Sequence, residues 1–216
     1  MLKKAGFAAA LLILTSMSMA QDHRFDVSVG GAGVFSKQSS GNNTVLTPTN
    51  SGAYLITGRY RFTAKSSIEL NYVHTSNSQI YSAPPLIYRI NNTIREYSGA
   101  YVFSFHETEK LEAFVFGGAA ALVFYPAYSS NTVNGVQTYL PALTQTQPAF
   151  LYGAGVDYPF LTKVPLIRRF SLTEKLIFRL QYRGLVYKAP DFSVQNLFTG
   201  AKGHMAEPSV GIVVKF

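Results

Sequence analysis

The amino-acid sequence predicts an all-β fold, an eight-stranded antiparallel up-and-down transmembrane β-barrel, and three observations support this prediction. About eight runs alternate between apolar and polar positions, and each is near the ~9–11 residues with which a tilted strand crosses a bilayer. Only 14% of the residues are charged, against roughly 25% in ordinary soluble domains, although 47% are hydrophobic. The chain ends on an alternating strand that finishes with a bare aromatic residue, Phe216, where soluble domains usually have polar, frayed termini.

Each run shows the two-residue period of a strand with one apolar face. The runs are Arg24–Ser36, Gly52–Phe62, Ser67–Ser76, Thr93–Phe105, Leu111–Tyr125, Ala149–Tyr158, Leu176–Tyr187 and Met205–Phe216. Their apolar faces, which we expect to contact lipid, carry in order Phe25, Val29 and Phe35; Tyr54, Ile56 and Tyr60; Ile68, Leu70 and Tyr72; Tyr97, Tyr101 and Phe103; Phe114, Phe116, Leu122 and Phe124; Phe150, Tyr152 and Val156; Phe178, Leu180 and Tyr182; and Val210, Ile212, Val214 and Phe216.

The opposite faces collect the charges. We predict a lumenal charge network of Asp26, Arg59, Arg61, Glu69, Glu96, Asp157, Arg179, Arg183, Glu207 and Lys215. A slip of one residue in register would turn the arginines of this network toward lipid, and each would then destabilise the barrel by roughly 2–4 kcal/mol near the midplane. Eight strands leave a lumen just wide enough for side chains, so the charges are expected to fill it as ion pairs.

The expected neighbours follow from the turn positions. With a turn at residues 64–66, Arg61 is predicted opposite Glu69 and Arg59 opposite Asn71. Where the barrel closes, Asp26 is expected to approach Lys215, and Arg183 and Glu207 are expected in the upper halves of neighbouring strands. A narrow gated pore lined by the same arginines is the alternative interpretation.

The connections alternate in length, as in an up-and-down barrel with both termini in the periplasm. The long ones, rich in Ser, Thr, Asn, Pro and Gly, are 37–51, 77–92, 126–148 and 188–204, and the short ones are 63–66 and 106–110. The connection 159–175 is too long for a tight turn, and the pattern does not place it.

The first twenty residues have the features of an export leader. Lys3 and Lys4 precede an apolar run from Phe7 to Leu14, and Ala20 ends a small-residue cleavage site. The expected domains are therefore a signal peptide, 1–20, and a barrel, 21–216. No later stretch is apolar over the ~18 positions that a spanning helix needs.

Charge and cysteine content exclude several kinds of chemistry. The formal charge is +8, and removing Lys3 and Lys4 leaves 8 − 2 = +6, without a basic cluster beyond Arg168 and Arg169. Anionic lipid headgroups therefore suit the charge better than nucleic acid. With no cysteine, the chain has no disulfide, thiol nucleophile or lipid-bearing Cys. The four histidines lack metal-ligand spacing, so neither a metal nor a cofactor is predicted.

One short stretch suggests catalysis. His74 and Ser76 share a strand face, and Glu96 follows on the next run. The stretch is locally similar to the His-x-Ser-Asn sequence of outer-membrane lipid A deacylases, in which His, Ser and a Glu form a hydrolytic triad. Alternation points Glu96 inward and the other two outward, which argues against a triad.

The last strand, with Val210, Ile212 and Val214 alternating up to the C-terminal Phe216, resembles the assembly signal of bacterial outer-membrane barrels. Over residues 24–216 the chain resembles the small outer-membrane β-barrel superfamily of Gram-negative-type envelopes, typified by the membrane domain of OmpA and by OmpX. The resemblance implies export, recognition by the barrel-assembly machinery and insertion as a monomer among outer-membrane lipids. No peptidoglycan-binding domain follows the barrel, so wall tethering is not expected.

The expected function is that of a non-enzymatic, structural or surface-exposed barrel with a polar lumen filled by side chains. A narrow channel and a deacylase-like hydrolase using His74 and Ser76 are the alternatives. A soluble lipocalin-type carrier would need the opposite arrangement, apolar inside and charged outside.

Overall fold

The structure is a computed structural model that describes residues 24–84, 86–108, 111–127, 129–133, 136–159 and 176–216. The predicted leader and nearly all of the connection 159–175 lie outside the described residues. Within the described residues, no helix is both long and apolar enough to cross a membrane.

The described residues form twelve strands and one 3-10 helix. The strands are β1 (Phe25–Ser36), β2 (Ser39–Gly41), β3 (Thr44–Pro48), β4 (Ser51–Arg61), β5 (Ser66–Ala83), β6 (Leu86–Thr108), β7 (Leu111–Pro126), β8 (Ser129–Val133), β9 (Val136–Leu140), β10 (Gln145–Tyr158), β11 (Leu176–Lys188) and β12 (Lys202–Lys215). The 3-10 helix is Gln195–Leu197.

Eight of these strands close into a barrel. The ring runs β1-β4-β5-β6-β7-β10-β11-β12, every neighbouring pair is antiparallel, and β12 pairs back with β1. Because strands that follow one another along the chain are neighbours in the ring, the prediction of an eight-stranded up-and-down barrel is confirmed. The shorter strands form two hairpins, β2–β3 and β8–β9, within long connections. We call the end bearing these hairpins the loop end, and the end bearing Phe25 and Phe216 the turn end.

Alternating burial follows the alternating sequence, because one face of each strand meets the interior and the other meets the surroundings. On β11, for example, Leu180 is 48% exposed, whereas Arg179 is only 3% exposed. The same alternation holds on β1, β4, β5, β6, β10 and β12, where the apolar side chains predicted to contact lipid are exposed or half-buried and the predicted charges are buried or half-buried.

Strand β7 departs from this division, and the predicted orientation of its apolar face is wrong. Phe114, Phe116, Leu122 and Phe124 are buried in the interior, while Val115 is exposed on the outside. Residues that lie directly opposite each other on paired strands share a face, and Leu122 lies opposite the inward-pointing Glu96. The apolar face can point inward here because Leu122 and Phe124 join the apolar interior toward the loop end, while the Phe114 ring packs against the guanidinium of Arg59.

The turn between β4 and β5 begins earlier than predicted, which corrects the register of two arginines. The bend covers Phe62–Lys65, and the Phe62 amide donates to the Ser66 carbonyl at 3.1 Å. Arg59 therefore lies opposite Glu69, and Arg61 opposite Ser67, so the predicted partners are wrong by two positions.

The predicted loop 77–92 is instead a two-stranded ribbon. Strands β5 and β6 have 18 and 23 residues and stay paired up to Ala83 and Leu86. Polar side chains bridge the two strands, because the Ser78 hydroxyl donates to Asn91 Oδ1 at 2.6 Å. Cross-strand hydrogen bonds of this kind stabilise a strand whose composition is typical of a loop.

Candidate functional site

The centre of the barrel holds an interlocked group of five charged side chains. Arg59 donates to Glu69 Oε2 through Nε at 3.0 Å and through Nη2 at 2.7 Å. Arg179 donates to both oxygens of Asp157, at 2.7 and 2.8 Å, and its Nη2 lies 3.4 Å from Asp26 Oδ1. All five are at most 4% exposed. Two-pronged arginine–carboxylate pairs are among the strongest hydrogen-bonded pairs in proteins, so this group helps to fix the relative position of the five strands that carry it.

An inward aromatic ring supports the same group. The guanidinium carbon of Arg59 lies 4.2 Å from the centre of the Phe114 ring, and that of Arg179 lies 5.4 Å from it. A cation over an aromatic face is attracted by the negative charge of that face. The inward orientation of β7 therefore contributes directly to the charge network.

A second group places one arginine between two carboxylates. Arg183 Nη2 donates to Glu96 Oε1, and Arg183 Nη1 lies 3.3 Å from Glu207 Oε2. Arg183 and Glu207 face each other on β11 and β12, and none of the three side chains is more than 1% exposed. Arg183 is thus the cation that both buried carboxylates contact.

A third group lies near the turn end, around Glu112. Arg61 Nη2 donates to both oxygens of Glu112 at 2.7 and 2.8 Å, and the Ser104 hydroxyl donates to Oε1 at 2.7 Å. Lys215 Nζ also donates to Glu112, at 3.4 Å. Asp26 and Lys215 are paired in the backbone register, but their side chains have different partners. The sequence analysis missed Glu112 because it shares the face of β7 that was assigned to lipid.

The interior toward the loop end is filled by hydrophobic side chains, which we call the apolar plug. Its members are Leu46, Tyr81, Ile90, Ile94, Leu122, Phe124, Leu151, Leu185, Tyr187, Phe192, Leu197 and Met205, each at most 5% exposed. Phe192 and Leu197 come from the connection after β11. The Phe192 ring packs edge-on against Phe124, with ring centres 6.3 Å apart. The side chains of the first two charged groups and of the apolar plug are each at most 5% exposed.

A hydrogen bond from the ribbon holds this connection over the barrel. The Tyr81 hydroxyl donates to the Pro190 carbonyl at 2.7 Å, and burial raises the pKa of Tyr81, so the hydroxyl keeps its proton. The amides of Asp191 and Phe192 donate to Gln145 Oε1, both at 3.0 Å. Phe192 has a φ of 51°, a conformation that costs free energy for a non-glycine residue, so these contacts are needed to maintain it.

Replacing Tyr81 with phenylalanine is expected to loosen the connection 189–201 without unfolding the barrel. Loss of one buried hydrogen bond costs about 1 kcal/mol, and it leaves the Pro190 carbonyl unpaired. Amide hydrogen exchange at Ala189, whose N–H bonds to the Ala201 carbonyl at 3.0 Å, should then become about five-fold faster. Tyr88→Phe, on the opposite strand of the ribbon, is the control and should leave exchange unchanged. Equal exchange in both variants would contradict this role of Tyr81.

The residues of the deacylase-like stretch lie on two sides of the barrel wall. The His74 ring stacks on Tyr54 on the outside, with ring centres 4.9 Å apart, and Ser76 Oγ lies 3.2 Å from Thr93 Oγ1. Glu96 points into the interior toward Arg183. The structure therefore does not bring the three groups together. Among the described residues, no set of three or more His, Asp or Glu side chains is arranged to hold a metal ion.

The last strand closes the barrel. Val210 and Ile212 are exposed on the outer face, Val214 and Phe216 are half-buried, and the Phe216 amide donates to the Phe25 carbonyl at 2.8 Å. The residues of the predicted assembly signal thus form an apolar stripe beside the first strand.

A groove of about 470 Å³ opens at the loop end. Its walls come from the β2–β3 hairpin, the tip of the ribbon and the 3-10 helix, and they present Asn42, Asn43, Tyr88, Gln195, Asn196 and Phe198. The groove thus combines amide groups with aromatic rings.

Comparison with known proteins shows the fold. No protein-family model matches the chain, and no curated protein sequence matches it. The outer-membrane protein OprG from Pseudomonas aeruginosa has a similar structure, with a TM-score of 0.57, 14% identity, and 89% of this chain and 95% of that chain covered. Neisserial surface protein A is also similar, with a TM-score of 0.52, 16% identity, and 89% of this chain and 97% of that chain covered. The chain therefore has the fold of the small outer-membrane β-barrels, as the sequence analysis expected.

Proposed function

We propose that the protein is a structural, surface-exposed barrel of the outer membrane, without enzymatic activity, whose polar lumen is closed to ions. The observation that supports this proposal is the burial of the two central charged groups and of the apolar plug, whose side chains are each at most 5% exposed. An ion entering the lumen would have to separate buried ion pairs such as Arg59–Glu69, which are costly to break.

The outer surface of the barrel supports a location in a membrane. Large apolar side chains cover the outside of the barrel, among them Leu70 at 66% and Phe150 at 60% exposure. Such a surface is stable only when it contacts hydrocarbon, and the structurally similar proteins named above come from bacterial outer surfaces. With the loop end outside, the groove near Asn42 and Phe198 would face the surroundings of the cell. The predicted leader ending at Ala20, assembly through the last strand and a monomeric state complete the proposal.

Conductance in planar bilayers tests the closed lumen. We expect the purified barrel to give no steady ion current, whereas a general porin gives one under the same conditions. A Phe192→Ala, Leu197→Ala variant, which opens the apolar plug, should also give no steady ion current, because the charged groups between the plug and the turn end remain. Steady openings of the unaltered protein that disappear on substitution of Arg59 or Arg179 would establish the channel interpretation instead.

The hydrolase interpretation predicts a different result in the same preparation. Lipid A incubated with the folded barrel should remain intact in mass spectra, because Glu96 lies inside the wall and cannot reach His74 outside it. Deacylation by the unaltered protein that is lost in His74→Ala or Ser76→Ala would overturn the non-enzymatic assignment.

A further inference from the structure

We infer that three lysines on the outer wall at the loop end, Lys37, Lys188 and Lys202, bind the phosphate group of an anionic lipid in the adjacent leaflet. This inference rests on the proposed insertion into the outer membrane. We call the three residues the lysine cluster. They lie on or beside three adjacent strands, since Lys188 ends β11, Lys202 begins β12 and Lys37 follows β1.

The geometry brings the charges close together. Lys188 and Lys202 are directly opposite each other in the register of β11 and β12. The Lys37 amide donates to the His204 carbonyl at 2.8 Å. Lys37 is therefore beside His204, which lies two positions from Lys202 along β12. Directly opposed residues have Cβ atoms roughly 4.5–5.5 Å apart, and like charges in that position destabilise a sheet.

No acidic side chain among the described residues offsets this repulsion. The described ion pairs do not include any of the three lysines, and the carboxylates of the charge network face the interior, on the other side of the wall. Asp191, the acidic residue nearest in sequence, accepts hydrogen bonds from Gln145 Nε2 and the Ser193 amide, both at 3.0 Å. A bound anion would therefore remove a repulsion that the protein itself leaves uncompensated.

The position of the cluster matches the depth of lipid headgroups. All three lysines are exposed and point outward, and on the same strands the outward positions toward the turn end are apolar, with Phe35, Tyr182 and Val210 each 44–50% exposed. The Tyr152 hydroxyl lies 2.7 Å from His204 Nε2 just below the cluster. Aromatic residues with a polar tip are typical of the membrane–water interface, so the lysines lie where phosphates are found.

One lysine contacts an aromatic ring. Lys188 Nζ lies 5.1 Å from the centre of the Phe198 ring, which restricts the mobility of a long side chain. The cluster lies on the same outer face as Phe35, Tyr182 and Val210, so a phosphate carried by a lipid beside that face suits it better than a free anion.

Lipid binding to paired variants tests the inference. The barrel is folded in detergent, and the affinity for lipid A with two phosphates, for dephosphorylated lipid A and for inorganic phosphate is measured by native mass spectrometry. We expect the unaltered protein to bind only the phosphorylated lipid tightly, and a Lys188→Ala, Lys202→Ala variant to bind it about ten-fold or more weakly. Arg95→Ala is the matched control, because Arg95 is an exposed cation over the Tyr125 ring, at 4.9 Å, on the opposite side of the ring of strands.

The outcomes separate the inference from the proposed function. Equal binding by the unaltered protein and the lysine variant, equal loss in Arg95→Ala, or equal binding of dephosphorylated lipid would each overturn the lysine cluster as a phosphate site. Binding of inorganic phosphate as tight as that of the lipid would overturn the choice of a lipid. If the unaltered chain did not insert into vesicles at all, the membrane location itself would fail; insertion with any of the results above would overturn only the lysine cluster.

Discussion

Replacing Arg183 with methionine is expected to destabilise the folded barrel by about 3–5 kcal/mol, because it removes the cation from two buried carboxylates. Glu96 and Glu207 both contact Arg183, and both are at most 1% exposed. Without the guanidinium the two like charges would face each other out of water. The free energy of unfolding should be measured by urea titration in lipid vesicles with circular dichroism, since the chain contains no tryptophan.

A triple variant distinguishes uncompensated charge from lost packing. Arg183→Met combined with Glu96→Gln and Glu207→Gln removes all three charges while keeping the side-chain volumes similar. We expect it to recover at least half of the lost stability, as replacement of whole buried ion pairs by neutral groups is often tolerated. A triple variant as unstable as Arg183→Met would show that shape, and not charge balance, explains the loss.

Replacing Gly118 with alanine is expected to destabilise the barrel by more than about 2 kcal/mol, because the added Cβ would overlap backbone atoms of the neighbouring strand. A Cβ on Gly118 would lie 2.6 Å from Ala100 Cα and closer still to the Gly99 carbonyl oxygen. Neither atom can move away without shifting β6, on which the closure of the barrel depends. The temperature at which half of the protein is unfolded should be measured from the change in gel mobility that accompanies unfolding of the barrel on heating.

The adjacent glycine is a matched control. A Cβ on Gly117 would point outward, with the Leu151 carbonyl oxygen at 3.9 Å as its nearest neighbour. Gly117→Ala should therefore leave the unfolding temperature unchanged or raise it slightly, because alanine restricts the unfolded chain. If both variants lost stability equally, the effect would come from the loss of glycine flexibility and not from the close approach of β6 and β7.

The strand pattern predicted the barrel because lipid imposes a strict two-residue period on the outer face. Residues such as Leu70 and Leu180 have to point outward, and the charged residues between them then have to point inward. Arg183 and Glu207 were predicted in the upper halves of neighbouring strands, and they lie directly opposite each other on β11 and β12.

The same reasoning was wrong on β7, because an apolar face does not say whether its environment is lipid or a packed interior. A phenylalanine at position 114 fits the alternating pattern equally well whether its ring contacts hydrocarbon or, as observed, packs against Arg59. The charged residue Glu112 was the available signal, as it alternates with Phe114 on one face. Because a carboxylate is costly on the lipid face, Glu112 alone indicates that this face of β7 points inward, although the face also carries four aromatic or aliphatic residues.

Two further features could not be predicted from the alternation of apolar and polar residues. The first is the start of the β4–β5 turn, which depends on which carbonyl accepts from the Phe62 amide; shifting the turn by one residue moves every opposed pair by two positions. The second is the burial of Phe192 and Leu197, which lie in a polar connection and become buried only because the ribbon and β7 supply the surface that covers them.

The ribbon formed by β5 and β6 determines how far the protein extends beyond the barrel wall at the loop end. Strand β6 begins at Leu86, and its predicted spanning run begins at Thr93, so the seven residues 86–92 lie beyond that run at the loop end. At about 3.3 Å per residue they extend about 23 Å along the strand, or about 17 Å in height at the usual tilt. With the loop end outward, as proposed, a macromolecule that approaches from outside would meet the tip at Pro84 before it could touch the barrel rim.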